Sequence, residues 1–340
     1  MLRYVIRRCL WSLPTLFGIS LLSFGLLHAV AADPSSSVPP GALDSGELSS
    51  AAVLQLRRLY GLDQPWYVQY GRLLQRFAAC DLGTRWQDGR PIREVLGEAL
   101  PVSMSLMAAA LLLAYALAVP LGVYAAGRRG SRADQGISVG LSLLYSLPAF
   151  WVGTLLLNLL AGGRFLACPS LPHGACFPLQ GWHSFTGFEA MTLSERCLDV
   201  LWHAVLPVLT LGYPVLAVVA RHLRAGMLDT LQLDYIRTAR AKGLPERAVV
   251  YGHALRNSLL PVVTLLGLEL PRLISGSVIV EWIFGIRGMG LLALEALRMP
   301  DYPMVLAIVT LTALFTLAGS IVADVGYAWL DPRLRLRQSK

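Results

Sequence analysis

The sequence predicts an all-α membrane protein with six transmembrane helices. Three observations carry that expectation. Of 340 residues, 55% are hydrophobic and 15% charged, and the mean hydropathy is +0.56, against about 25% charged in soluble domains. Six stretches reach the roughly 18 to 20 apolar residues that a helix needs to cross about 30 Å of hydrocarbon. Finally, arginine and lysine alternate between dense and sparse loops along the chain.

The first apolar stretch, 9–31, follows Arg3, Arg7 and Arg8 and ends at Ala29-Val30-Ala31. That arrangement imitates a secretory signal, but the apolar run is longer than the usual 7 to 15 residue core, so an uncleaved span is expected. The loop 32–99 comes next, then spans at 100–126, 136–161, 200–220, 259–284 and 303–330. Pro120, Pro148, Pro207, Pro214, Pro271, Gly267, Gly276 and Gly319 fall inside these runs, where they kink helices or allow close packing. The chain divides into residues 1–31 (tail and first helix), 32–99 (a periplasmic loop or small cap), 100–330 (a five-helix core with a cytoplasmic loop at 223–257) and 331–340 (a tail).

Orientation follows from charge. Seventeen Arg and Lys lie in the N-terminus, the 128–132 loop, the 221–257 segment and the tail, against Arg164, Arg196, Arg287 and Arg298 in the opposing short loops. Both termini are therefore expected in the cytoplasm. The net charge of +8 then reports topology, with no call for nucleic acid.

Several chemistries are excluded or weak. The lysines, Lys242 and Lys340, do not follow a glycine, so no phosphate-binding G-x-x-x-x-G-K-[ST] loop exists. No His-Glu-x-x-His pair exists among the six histidines. Ser277 could serve an intramembrane protease only with a histidine on another span, and the last span has none. Cys168 and Cys176 lie eight apart in a Pro-rich outer loop, where a disulfide, free thiols or a zinc site with His173 all compete; the zinc site lacks a fourth ligand. Cys80 and Cys197 are expected on the same side. Glu269 and Arg272, one turn apart in the fifth span, and Asp324 in the sixth are ionisable groups at depth. They form either self-satisfied pairs and end-of-span charges or the lining of a translocation path.

The segment Asp234 to Pro261 is a basic stretch between two apolar runs. A helix is expected from Asp229 to Lys242, acidic at its start and basic at its end. Gly243 supplies a left-handed C-terminal position and Pro245 opens the next helix, which continues through His253 and Arg256. Tyr235, Ile236 and Ala239 give the first helix a partly apolar face that suits a bilayer surface or a groove on a soluble subunit.

DYIRTARAKGL followed by HALRNSLLPVVT resembles the cytoplasmic loop of ABC-importer permeases, and more narrowly of the dipeptide, oligopeptide and nickel branch. MLRYVIRR, GLDQPWYVQYGRLL with CDLGTRW, VEWIFGIRGMG, DYPMV and DPRLR match the same family across almost the whole chain. Departures are Arg237-Thr238-Ala239 where the general loop begins Glu-Ala-Ala, a late Pro261, and Arg287 where proline is frequent. The resemblance implies a type I importer permease fold that pairs with a homologous second permease and two ATPase subunits, which bind ATP and Mg. A periplasmic binding protein would deliver the substrate. Asp234, Tyr235, Arg237, Ala239, Arg240, Lys242 and Gly243 match the ATPase-coupling loop. The chain itself would be no enzyme and need no cofactor. Short peptides are the favoured cargo, with nickel or a metal chelate as the alternative. A self-contained secondary carrier or channel using Glu269, Arg272 or Asp324 is the competing class.

Overall fold

The computed structural model describes residues 2–30, 64–79, 81–161, 177–269, 272–299 and 301–330. Twelve helices are used here: α1 (Leu2–Val30), α2 (Trp66–Ala78), α3 (Ile92–Gly127), α4 (Arg132–Ser146), α5 (Ala149–Leu156), α6 (Leu193–Thr230), α7 (Asp234–Ala241), α8 (Leu255–Glu269), α9 (Arg272–Ser275), α10 (Val278–Ile283), α11 (Met289–Arg298) and α12 (Tyr302–Leu330). Among the described residues the one isolated extended pairing is Thr84 with Pro91. The helices α3 and α6, the stretch Ala248–Glu269 and Tyr302–Val322 are each long and apolar enough to cross a bilayer. A bent pair, Arg132–Ser146 with Ala149–Ala161, is long and apolar enough for a fifth crossing when taken as one span, and α1 carries the shorter apolar stretch Leu10–Leu26.

Two of the expected spans are broken. The 136–161 run bends by 95° at Leu147, which is extended (φ −82°, ψ 130°) before Pro148. The proline ring excludes the helical region for the residue preceding it and cannot donate to the turn before. Beyond the bend α5 widens into a π-helical turn at Leu157–Ala161. The 259–284 run is not one helix either: α9, which ends at Ser275, and α10, which opens at Val278, are separated by Gly276, whose φ of +66° is left-handed. By contrast Pro120, Pro207 and Pro214 sit inside continuous helices.

α3 and α6 form the spine. A Cβ built at Gly122 would lie 3.0 Å from the Ala220 carbonyl and from Leu223 Cβ, and one at Gly212 3.1 Å from the Ala110 carbonyl. The two backbones thus approach through small residues, as bilayer-spanning helices do when no hydrophobic driving force separates lipid from protein. α6 starts with a capping box, Thr192 and Glu195 satisfying each other's backbone amides. Because α3 is about 54 Å long at 1.5 Å per residue, its two ends define the two ends of the molecule. At one, Ile92, Val95, Leu96 and Ala99 pack on Met289, Leu292, Met304 and Ala307. At the other, Ala118, Val123 and Ala126 pack on Ala217, Leu223, Met227 and Ile236.

Candidate functional site

α7 sits at that second end, between α6 and the helix leading into α8. The expected helix over 229–242 is shorter: α6 runs on to Thr230, a turn occupies 231–233, and α7 begins at Asp234. The break lets α7 turn its apolar side onto the spans. Ile236 is fully buried and Ala239 nearly so, both within the cluster formed by Ala126, Leu223, Met227, Val249 and Ala254.

The C-terminus of α7 closes in a Schellman turn. Leu244 N donates to the Ala239 carbonyl at 3.4 Å and Gly243 N to the Arg240 carbonyl at 2.9 Å, with Gly243 at φ +77°. Nothing lies within 4 Å of a Cβ built there, so the requirement for glycine is conformational and not steric. The following helix opens just after Pro245, whose carbonyl accepts from Ala248 and Val249, and passes through a π-helical stretch at Ala248–Ala254. Across the turn, Arg240 forks onto Glu246 (2.7 and 3.1 Å). This guanidinium holds the Glu246 carboxyl below its ordinary range. Asn257 Nδ2 donates to the Tyr235 hydroxyl at 2.7 Å.

What remains outward is a ridge of Asp234, Tyr235, Arg237, Thr238, Arg240 and Lys242, all exposed. Asp234 and Arg237 pair loosely at 3.5 Å, an exposed contact worth little by itself. The arrangement is a short helix anchored by Ile236 and presenting a mixed polar and basic surface.

Two ties connect this end to the spans. Ser258 Oγ donates to Thr230 Oγ1 at 3.0 Å, joining the end of α6 to α8. Arg224 on α6 grips Asp134 at the start of α4 through two hydrogen bonds. Asp134 also accepts from Gly130 N at 3.0 Å, which locks the 128–134 loop.

The structure brings Glu269 and Arg272 together: Arg272 Nη1 reaches both carboxylate oxygens at 2.9 and 3.0 Å. Glu269 is the last residue of α8 and Arg272 the first of α9, and Arg272 is largely exposed. Asp324 belongs to α12, but its side chain lies outside the described residues. Cys168, Cys176, Cys80 and His173 lie outside them too, and Cys197 is an exposed free thiol. No metal-holding cluster occurs among the described residues.

One group escapes sequence reasoning. Glu281, fully buried, accepts from Ser103 Oγ (2.8 Å), Ser277 N (3.2 Å) and Leu291 N (2.9 Å). Ser103 Oγ in turn accepts from Met289 N at 2.8 Å. A buried carboxylate so surrounded by donors is satisfied, and it pins α10 and α11 onto α3 at the end opposite α7. The motif VEWIFGIRGMG contains it, but its partner Ser103 is 178 residues away.

Residues 118–336 match the family described as binding-protein-dependent transport system inner membrane component, and residues 1–107 match its N-terminal companion. The oligopeptide transport system permease protein AppB of Bacillus subtilis is 36% identical over 335 residues, covering 98% of this chain and 99% of its own. The dipeptide transport system permease protein DppB of Escherichia coli K12 is 35% identical over 343 residues, with 98% and 99% covered. The glutathione transport system permease protein GsiC of Escherichia coli is 34% identical over 340 residues, with 99% and 100% covered.

Proposed function

The chain belongs to the family of binding-protein-dependent transport inner-membrane components, and from that membership we propose that it forms half of the translocation path for short peptides in an ATP-driven importer. It is a multi-pass inner-membrane protein. Two ATPase subunits, a second permease and a periplasmic binding protein complete the machine, and α7 faces the cytoplasm to meet the ATPases. Near-full-length similarity to oligopeptide and dipeptide permeases supports the cargo. The observation that carries the coupling role is the rigid presentation of α7: its apolar side is buried by Ile236 and Ala239, its end is fixed by the Gly243 turn, and its polar ridge is left open.

That geometry supports an alternating-access mechanism. When nucleotide binding draws the ATPases together, a helix locked to α6 and α8 moves as one body with them, so the displacement passes to the spans and is not absorbed in the loop. The importer then redistributes between outward-facing and inward-facing packings, driven by the difference in ATPase affinity for the two. Arg224 and Asp134 extend the linkage to the bent pair α4–α5.

The test is reconstitution with the partner subunits in vesicles. Labelled di- and tripeptides should accumulate only with ATP and binding protein present, and this chain purified alone should hydrolyse no ATP. Peptide accumulation by the chain alone, driven by an ion gradient, would contradict the reading.

A further inference from the structure

A cavity of about 790 Å³ opens at the end of the molecule opposite α7, between the π-helical turn of α5, the 177–187 loop, the first third of α6 and α10. Its size falls within the roughly 300 to 1,000 Å³ of ligand sites. We propose that it is a transit subsite for the main chain of a short peptide, a proposal that rests on the importer reading above.

The lining is chemically distinctive. Asn158, Gln180, Thr186 and His203 supply hydrogen-bonding groups, Phe185 and Ile283 supply apolar wall, and none of the lining residues is Asp, Glu, Lys or Arg. Asn158 spends one N–H on the Thr154 carbonyl (2.9 Å), which leaves its Oδ1 as an acceptor. His203 is nearly buried, with Nδ1 2.8 Å from the Asp199 carbonyl. A carbonyl can only accept, so Nδ1 carries the hydrogen, and Nε2 is the ring nitrogen left to meet a ligand. The nearby Asp199 carboxylate is occupied by Ser184, through N at 2.8 Å and Oγ at 2.5 Å.

Such a lining matches amide N–H and C=O groups, which every peptide has, and makes no ion pair that would select side-chain charge. Moderate, uncharged hydrogen bonding also suits passage, since a transit site must bind well enough to admit its cargo and weakly enough to release it. The cavity is built at a π-helical turn, a local widening often found where helices serve a site. The loop wall is held in place by Gly181 N donating to the Phe284 carbonyl at 2.9 Å.

The experiment uses the reconstituted importer and a tripeptide, alanyl-leucyl-alanine, whose leucine carries a diazirine. Illumination during turnover should label segments 154–158 and 178–186, and excess unlabelled trialanine should suppress that labelling. Asn158→Leu and Gln180→Leu, each assembled with its partners as judged by copurification, should lower peptide imported per ATP hydrolysed at least about threefold. Labelling confined to other segments, or both variants importing with the wild-type ratio, would overturn the proposal. So would labelling of the same segments by a diazirine phosphatidylethanolamine with none by the peptide, which would make this a lipid pocket. A wild-type importer that moves no peptide would defeat the functional reading itself, and the proposal with it.

Discussion

Arg224 and Asp134, ninety positions apart, meet in a two-pronged ion pair: Nε to Oδ1 at 2.5 Å and Nη2 to Oδ2 at 2.7 Å. Asp134 is almost completely buried and Arg224 partly exposed. Arg224→Ala leaves a buried carboxylate without its cation, a loss of about 3 to 5 kcal/mol, and loosens α4 from α6. The variant should unfold at lower temperature in detergent, and peptide uptake should fall further than ATP hydrolysis. Arg224→Lys should recover only part, since an ammonium cannot reproduce the fork. Uptake and hydrolysis falling in strict proportion would argue against a role in transmission.

Gly243→Val places a β-branched residue at φ +77°, at a cost of roughly 1 to 3 kcal/mol. Because no atom crowds the position, the strain should fall on the turn alone and re-aim α7. Expected are wild-type insertion and pairing with the second permease, with substrate-stimulated hydrolysis and uptake lowered together by about tenfold, the equivalent of some 1.4 kcal/mol. Gly243→Asn should be milder, since asparagine visits this region readily. A valine variant with normal transport at normal expression would make the loop an ordinary connector.

Ile236→Ala removes the anchor that fixes α7 to the spans, a core truncation of about 2 to 5 kcal/mol. Transport should drop several-fold, whereas Arg237→Ala, which removes an exposed charge, should have a small effect. Vesicle uptake of both variants at matched protein levels decides the order.

Gly290→Ala should be among the most damaging small substitutions. The added Cβ would stand 2.6 Å from Val278 N, a backbone atom that cannot swing aside, and overpacking of this kind costs typically 1 to 3 kcal/mol. The Glu281 hub would be prised from α3, and limited proteolysis should cut within 272–290 faster than in the wild type. Equal cleavage rates would show that the hub yields without loss.

The apolar runs, the α7–Gly243–Pro245 order and the family membership were legible in the sequence because each depends on local composition or on residues adjacent in the chain. Both span breaks had their cause in view, Pro148 and Gly276, but a hydropathy run does not register a bend. α7 starts five residues later than its sequence suggests, since 229–233 contains neither glycine nor proline to mark a boundary; burial of Ile236 and Ala239 against α3 and α6 decides the break. Asp134 with Arg224, and Ser103 with Glu281, were invisible for a different reason: such pairs exist only once helices far apart in the chain have packed. Likewise the cavity has no motif, because its lining comes from four separate elements.

The coupling role of α7 is tested most directly by cross-linking in the assembled importer. One chain keeps only Cys197, exposed near the start of α6. A second has its native cysteines replaced by serine and carries Arg237→Cys. Treated with a short bifunctional thiol reagent, the position 237 thiol should capture an ATP-hydrolysing subunit, more so with nucleotide bound, and Cys197 should capture none. Capture from Cys197 alone, with none from position 237 in an importer that transports at the wild-type rate, would contradict it.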